Sequence, residues 1–407
     1  MRILHLTTEF PPVIYGGLGT AVGGLVEASA NAGMAVGVLL FGQTAGPGYG
    51  KFVPLPEAPT NTVATRFTAG ATIFEVSWFQ GIESIAQIAA RWQPDVLHLH
   101  SFWLWSIAQA LRDRLKKPLV YTVHSLDRAE YELGQGPPEC LTQWVGQETL
   151  IREADRVIAL TWSERELLKQ YCPGVDERVR VVGNGIEEIE VAPQAKGRDW
   201  DAPIVLFSGR FVERKGIREL IDAIGLVLSK APTVRFVLAG GHRHCTGAQM
   251  ESWLLPVQLY PHRAQIHFTG WLTPWEMATW YRAADILVVP SWYEPFGMVI
   301  LEGMLHGLAV AASAVGGPAE ILDHGRTGVL FVPRDARALA EAVLRLTNDP
   351  DGCACIAEAG SRDVREKWLW PRIVEKMRRV YEELVPDAHR VVAAQPIAGL
   401  QALADAA

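Results

Sequence analysis

Two carboxylates, Glu294 and Glu302, stand eight positions apart in the stretch PSWYEPFGMVILEG at 290–303. The apolar run Ile286-Leu287-Val288-Val289 before them reads as a buried parallel strand. Helix-forming residues follow from Met298 to Leu305. Gly297 falls at the helix start, where backbone N–H groups suit an anion. Glu294 then stays on the loop, and Glu302 sits one to two turns into the helix. Carboxylates so placed accept hydrogen bonds from two hydroxyl-bearing parts of one ligand with a phosphate between them. Either Glu alone also fits a solvated helix-start acid, which the helix dipole favours.

A second set of residues tips that balance. The run Ser208-Gly209-Arg210-Phe211-Val212-Glu213-Arg214-Lys215-Gly216 follows another apolar strand. Arg210 offers a fork of donors and Lys215 a point charge, and both suit a diphosphate. One such cation is ordinarily a surface residue; two at a strand end, near the Glu294/Glu302 pair in sequence, are more specific. A sugar nucleotide has the matching layout of sugar hydroxyls, diphosphate and ribose diol. Nearer the start, Gly16-Gly17-Leu18-Gly19 follows the first strand and opens a helix. Its glycines allow close backbone approach to a ligand. A dinucleotide fingerprint is excluded, because the loop is too long and the second strand ends in Phe41-Gly42-Gln43 without an acid. His124, at the end of the run Tyr121-Thr122-Val123, is either a structural histidine or a group pointing into the ligand site.

These residues need strand ends to hold them. Short apolar runs alternate with helix-length segments along the whole chain. The first half has Arg2–Thr8, Ala35–Gly42, Thr72–Trp78, Val96–His100, Leu119–His124, Arg156–Thr161 and Val179–Gly183. The second has Pro203–Gly209, Arg235–Gly240, Gln265–Gly270, Ile286–Ser291, Leu308–Ser313 and Gly328–Pro333. The pattern predicts an α/β fold of two doubly wound, Rossmann-like parallel-sheet domains facing a cleft. The expected N-terminal domain is 1–186, the linker 187–202 and the second domain 203–370. Trp370-Pro371 interrupts a helix, and Trp370, Ile373, Met377, Val380, Tyr381 and Leu384 form the stripe of a terminal helix over 371–386. The Ala-rich tail 387–407 carries no signal.

Composition bounds the function. With 407 residues, 49% of them hydrophobic and 20% charged, the chain has material for two cores. A net charge of −7 excludes a dedicated nucleic-acid binder. Five cysteines make no disulfide framework, and no spacing matches a structural zinc site. His242, His244 and Cys245 read as a surface loop. The start MRILHLTTEF is not a signal peptide, and no 18-residue window lacks polar breaks. The expected location is the cytoplasm. Two basic patches, Arg112/Arg114/Lys116/Lys117 and Arg372/Lys376/Arg378/Arg379, read as solvated helix faces that still permit peripheral contact with the inner membrane face.

The combined motifs resemble the retaining glycosyltransferase family 4, of GT-B fold. They are GGLG at 16–19, the strand-end His124, VVGNGI at 181–186, SGR and KG at 208–216, FTG at 268–270, the E-x7-E pair at 294–302, and SAVGGPAEIL with TGVLF at 313–331. The likeness spans roughly residues 1–385. It implies that Glu294 holds the donor sugar's hydroxyls and Glu302 the ribose diol. Arg210 and Lys215, with Gly209 beside them, would meet the diphosphate. Backbone N–H groups of Gly297, Met298 and Val299 would contact phosphate or sugar, and Gly17 and Leu18 would close on it from the other domain. His124 would touch the donor sugar, and Gly270 and Trp271 would lie near the base. The terminal helix would cross back to the first domain. The glycine loop is also similar to that of starch and glycogen synthases. There a lysine stands where this chain has Ile14, which argues against a glucan synthase using ADP-glucose.

The expected activity is retaining, metal-independent transfer of a hexose to a hydroxyl of a glycan, lipid-linked or small-molecule acceptor. The resemblance favours glucose as the sugar and UDP as its carrier. No cofactor is expected; Asp349-Pro350-Asp351 reads as a turn rather than a metal motif. The acceptor would meet loops around 9–15, 49–60, 101–105 and 126–140. Rival readings are a sugar-nucleotide epimerase or hydrolase, which needs no acceptor, and a non-catalytic sensor, which the intact Arg210/Lys215/Glu294/Glu302 set argues against.

Overall fold

The computed structural model describes residues 1–12, 14, 16–42, 64–68, 70–77, 80–134, 140–188, 202–243 and 245–386. Most of the expected linker, the tail 387–407, the loop 49–60, most of 126–140 beyond 134, and Val13, Tyr15 and His244 lie outside them. The chain begins with β1 (Arg2–Thr7), α1 (Gly17–Asn31), β2 (Ala35–Phe41), β3 (Ala64–Thr68), β4 (Ala71–Val76), α2 (Ile82–Trp92) and β5 (Val96–Leu99). It continues with α3 (Trp105–Leu115), β6 (Leu119–Thr122), α4 (Asp127–Glu132), α5 (Cys140–Glu153), β7 (Arg156–Ala159), α6 (Trp162–Tyr171) and β8 (Val179–Val181). The second half runs β9 (Ile204–Gly209), α7 (Ile217–Leu228), β10 (Arg235–Gly240), α8 (Gly247–Leu254), β11 (Ile266–Gly270), α9 (Pro274–Ala283) and β12 (Ile286–Val289). Then come α10 (Met298–Leu305), β13 (Ala309–Ser313), α11 (Gly316–Ile321), β14 (Val329–Phe331), α12 (Ala336–Asn348), α13 (Pro350–Lys367) and α14 (Trp370–Leu384).

These strands form two sheets, ordered β3-β4-β2-β1-β5-β6-β7-β8 and β11-β10-β9-β12-β13-β14. Pairing is parallel at β1–β2, β1–β5, β9–β10 and β9–β12. The exception is β3, antiparallel to β4 and absent from the expected strands. Its sequence, ATRFT, is mostly polar and carries no continuous apolar run. A search for continuous apolar runs passes over it. By contact density the described residues divide into two compact units, one of 1–122, 154–156 and 374–386, the other of 123–153 and 157–373.

In the second sheet, burial on both faces explains the continuous apolar runs. Val205, Phe207, Phe236, Leu238, Ile286 and Val288 join one core with residues of α7 and α12. Their neighbours Ile204, Leu206, Val237, Ala239, Leu287 and Val289 join another with Tyr281, Ile300, Leu301 and Met304. The side-chain period of two thus feeds both cores from each strand. Local chemistry sets the helix starts. Thr273 and Glu276 form a capping box with Pro274 in the first turn of α9, and Asp335 caps α12. Asp349, expected in a turn, instead caps α13 by accepting from the Gly352 N–H at 2.9 Å. Aspartate before proline is a start signal for the helix that follows. Asp199-Trp200-Asp201 has the same spacing and lies outside the described residues.

The first unit buries three imidazoles together. Parallel register sets His5 of β1 opposite His98 of β5, and His100 lies just past the end of β5. His5 Nδ1 lies 2.9 Å from His100 Nε2. His98 spans from Thr122 Oγ1 to the Tyr381 hydroxyl of α14, 2.7 Å on each side. One ring nitrogen from each of the three lies within 4.8 Å of the other two. Burial pulls His5 down to about 3, so it is neutral at ordinary pH. The sequence reading looked for clustered histidines at 242–245 and missed these, because only strand register reveals them.

The stripe of α14 is buried as its spacing predicts, Leu384 being half-buried. Each fully buried large apolar side chain contributes about 1.5–3 kcal/mol. Tyr381→Phe keeps that packing and removes only the hydroxyl facing His98. It should cost about 1–3 kcal/mol in chemical denaturation; an unchanged midpoint would show that the bond carries no stability.

Candidate active site

Parallel strands place their carboxyl ends on one edge of the sheet, which is where doubly wound folds bind ligands. In the second unit, β9 ends at Gly209, β10 at Gly240, β11 at Gly270 and β12 at Val289. Arg210, Trp271 and the 290–297 loop therefore leave from the same edge.

Lys215 and Glu294 meet there. Lys215 ends a 3₁₀ turn over Glu213–Lys215, and its Nζ lies 2.5 Å from Glu294 Oε2. Ser291 donates to the same oxygen at 3.0 Å. The Glu294 side chain is 8% exposed and that of Lys215 19%. A buried carboxylate needs such a partner; breaking such a pair on one side typically costs about 3–5 kcal/mol. Burial alone would push Glu294 up, but Lys215 and Arg214 outweigh it and hold the carboxyl below its ordinary range. Burial pulls Lys215 down, against the opposing effect of Glu294.

Close backbone packing makes the pair reachable. Gly216 has φ 68°, and a Cβ there would collide with the Pro290 carbonyl. Trp292 N–H donates to the Arg214 carbonyl at 2.8 Å. On the far side of the loop, a Cβ at Gly317 would collide with the Phe296 carbonyl, and Gly317 N–H donates to the Glu294 carbonyl at 2.9 Å. The glycines in SAVGGPAEIL thus let α11 press against the loop that carries Glu294.

The other expected residues lie on several segments. Arg210 is half-buried and has no carboxylate partner among the described residues. Its charge helps pull Lys215 down. Gly297 caps α10 at φ 100° without any side-chain cap, and Met298 and Val299 form the first turn. Glu302 is one turn into α10 and accepts from the Tyr281 hydroxyl at 2.6 Å. His124 follows β6 in a bend, half-buried, with its imidazole pulled down to about 4 by burial. Gly209 and Gly270 end β9 and β11, and Trp271 is 37% exposed. Gly17 and Leu18 open α1 in the first unit.

Sequence reasoning also missed several supporting residues. Arg214 Nε lies 2.8 Å from Glu130 Oε1, and Ser125 donates to the other Glu130 oxygen at 2.9 Å. Leu126 N–H donates to the Tyr293 hydroxyl at 3.1 Å. Glu164 of α6 is buried and accepts from the Leu160 N–H at 3.0 Å. Beside it, Thr161 caps α6 and donates to the Pro295 carbonyl at 3.2 Å. Burial, with Glu320 adding to it, pushes Glu164 up to about 8. Apart from the Thr161 cap, which has the T-x-x-E start signal, the long-range contacts here have no local sequence signature.

Two doubly wound parallel sheets, with cations and carboxylates at the carboxyl edge of the second, define the GT-B class of glycosyltransferases. Family profiles match residues 15–188 as Glycosyltransferase Family 4 and 202–349 as Glycosyl transferases group 1. The chain is 31% identical to a D-inositol 3-phosphate glycosyltransferase of Thermobispora bispora over 76% of each chain. It is 32% identical to an alpha-maltose-1-phosphate synthase of Mycolicibacterium smegmatis, over 94% of this chain and all of that one. The chain belongs to glycosyltransferase family 4. Its fold is similar to a sucrose-phosphate synthase from Thermosynechococcus elongatus, with a TM-score of 0.78 and 25% identity over 95% of this chain and all of that one. It is also similar to Anabaena HepE in complex with UDP and glucose, with a TM-score of 0.69 and 21% identity over 94% of this chain and all of that one.

Glu164 yields a pH test. Its folded pKa lies above the unfolded value, so the native state binds the extra proton in between and loses stability as pH rises. The window runs from about pH 4.5 to about 8. Glu164→Gln should flatten that part of the fall in melting temperature. A wild-type slope that persists in the variant would show that Glu164 is already ionised.

Proposed function

We propose that this glycosyltransferase moves a hexosyl group, glucose foremost, from a UDP-linked donor to an acceptor hydroxyl with retention at the anomeric carbon. The observation that carries this reading is the buried Lys215–Glu294 pair beside Arg210, at the carboxyl edge of the second sheet. The HepE complex with UDP and glucose supports this donor. In this reading 203–370 holds the donor and 1–186 shapes the acceptor site. The enzyme acts in the cytoplasm and touches a membrane only when its acceptor is lipid-linked. Among the described residues, no helix is long and apolar enough to cross a membrane.

The chemistry follows from charge. As the bond from the anomeric carbon to the phosphate oxygen breaks, negative charge grows on the β-phosphate. Arg210, Lys215 and the N–H groups at the start of α10 receive that charge without reorganising. Losing one such donor typically costs about 10²–10³ in rate. The acceptor oxygen attacks from the face the phosphate leaves, and its proton passes to the departing phosphate. Glu294 holds sugar hydroxyls, joined by His124. Glu302 holds the ribose diol, and Gly209, Gly270 and Trp271 line the nucleotide. Donor binding brings a second anion to Lys215, so the ligand-free pair with Glu294 loosens and the carboxylate turns to the sugar.

Calorimetric titration in EDTA separates the two carboxylates. Glu302→Gln should weaken UDP binding by about 1–3 kcal/mol, the usual loss for hydrogen bonds to a charged group. Glu294→Gln frees Lys215 for the diphosphate, so UDP binding should hold or tighten while sugar transfer collapses. Equal loss of UDP affinity in both variants would contradict this division. Turnover of the donor without any acceptor would favour an epimerase or hydrolase.

A further inference from the structure

We propose that Tyr281 is a positioning residue for the donor nucleotide, fixing the Glu302 carboxylate through one oxygen so that the remaining acceptor sites face the ribose diol. This rests on the reading of Glu302 given above and adds the group that makes Glu302 competent. Tyr281 lies on α9, the helix that follows the β11 edge, and is 3% exposed. Its hydroxyl donates to Glu302 Oε2 at 2.6 Å. No other hydrogen bond to that carboxylate is made among the described residues. The ring stacks on His306, with centroids 5.0 Å apart and planes 26° from parallel. His306 is anchored in turn, its Nδ1 lying 2.8 Å from the Glu302 carbonyl. Tyr281 is therefore held by core packing on α10, by a stacked ring and by a charge-assisted bond. Its hydroxyl has little freedom to leave the carboxylate.

A carboxylate has about four lone-pair sites, and a diol presents two donors. Fixing one oxygen on tyrosine leaves sites for both hydroxyls and removes the rotamer freedom that binding would otherwise have to freeze. The bond also governs charge. Burial raises the Glu302 carboxyl, and the Tyr281 hydroxyl opposes that rise. The other ionisable group packed beside it is His306, which burial lowers and which sits near Arg282. Ser208 of β9 approaches the Tyr281 hydroxyl from the sheet side. Without the hydroxyl, the Glu302 carboxyl rises further, and a protonated carboxyl accepts the diol less well.

The test is calorimetric titration of the full chain with UDP and with inorganic pyrophosphate, which lacks the ribose, between about pH 5 and pH 9. Tyr281→Phe should lose about tenfold or more in UDP affinity at neutral pH, the scale of a hydrogen bond to a charged group. It should regain part of that loss as pH rises and bind pyrophosphate like the wild type. Tyr281→Gln, which keeps a donor, should fall between wild type and Phe, and it stands in if the Phe variant does not fold. Glu302→Gln, run alongside, should lose UDP affinity at every pH. If Glu302→Gln binds UDP like the wild type, the ribose reading of Glu302 fails. If Glu302→Gln is weakened while the Tyr281 variants match the wild type in affinity and pH profile, the positioning role is overturned. Equal loss of UDP and pyrophosphate in the Tyr281 variants would also overturn it, by showing general damage to the site.

Discussion

A carboxylate buried in a loop must have a cation within reach, and this requirement organises the second unit. Glu294 meets it with Lys215. The two residues come from different strand ends, so the chain after β9 and the chain after β12 must run nearly in contact. That contact in turn demands Gly216 against the Pro290 carbonyl and Gly317 against the Phe296 carbonyl. An apolar pair of the same size would be cheaper to bury. The charged pair persists where the edge of a parallel sheet offers a ligand site, and this sets it apart from a stabilising core contact.

The same edge holds a second carboxylate handled differently. Glu302 has a tyrosine hydroxyl where Glu294 has an ammonium, so one acid is held below its ordinary range and the other above. Two similar residues eight apart thereby acquire opposite pKa shifts and different partners through packing alone. Between them, the first turn of α10 offers its backbone N–H groups. In the proposed reading, a ligand with hydroxyls at both ends and phosphates in the middle would meet three kinds of partner in order along one segment of chain. In the first unit, burial is met by histidines and hydroxyls instead: His5 pairs with His100, and His98 with the hydroxyls of Thr122 and Tyr381, while His5 Nε2 has no hydrogen-bond partner among the described residues.

Much of this was legible in the residues. Among the described residues, apolar runs located thirteen of the fourteen strands, because parallel strands covered on both faces are apolar throughout. The E-x7-E spacing located the acids, and Arg210 and Lys215 stood out as cations after a strand. The illegible parts depend on distant partners. Strand β3 is mostly polar and pairs antiparallel at an edge. Tyr281 looks like any aromatic on a helical face until α9 is laid on α10. Glu130 and Arg214 are 84 residues apart, and the buried histidines need register to be seen together. Asp349 was misread through a nearer cause, since the acid that caps a helix has the same local form as one in a turn.

The central claim is that the segment 290–303, with Arg210 and Lys215, forms the donor site. A crystal structure of the chain with an unhydrolysable UDP-sugar tests it most directly. The account predicts the diphosphate against Lys215, Arg210 and the start of α10, with the ribose diol on Glu302 and sugar hydroxyls on Glu294. A nucleotide bound away from that edge, with the Lys215–Glu294 pair undisturbed, would contradict it.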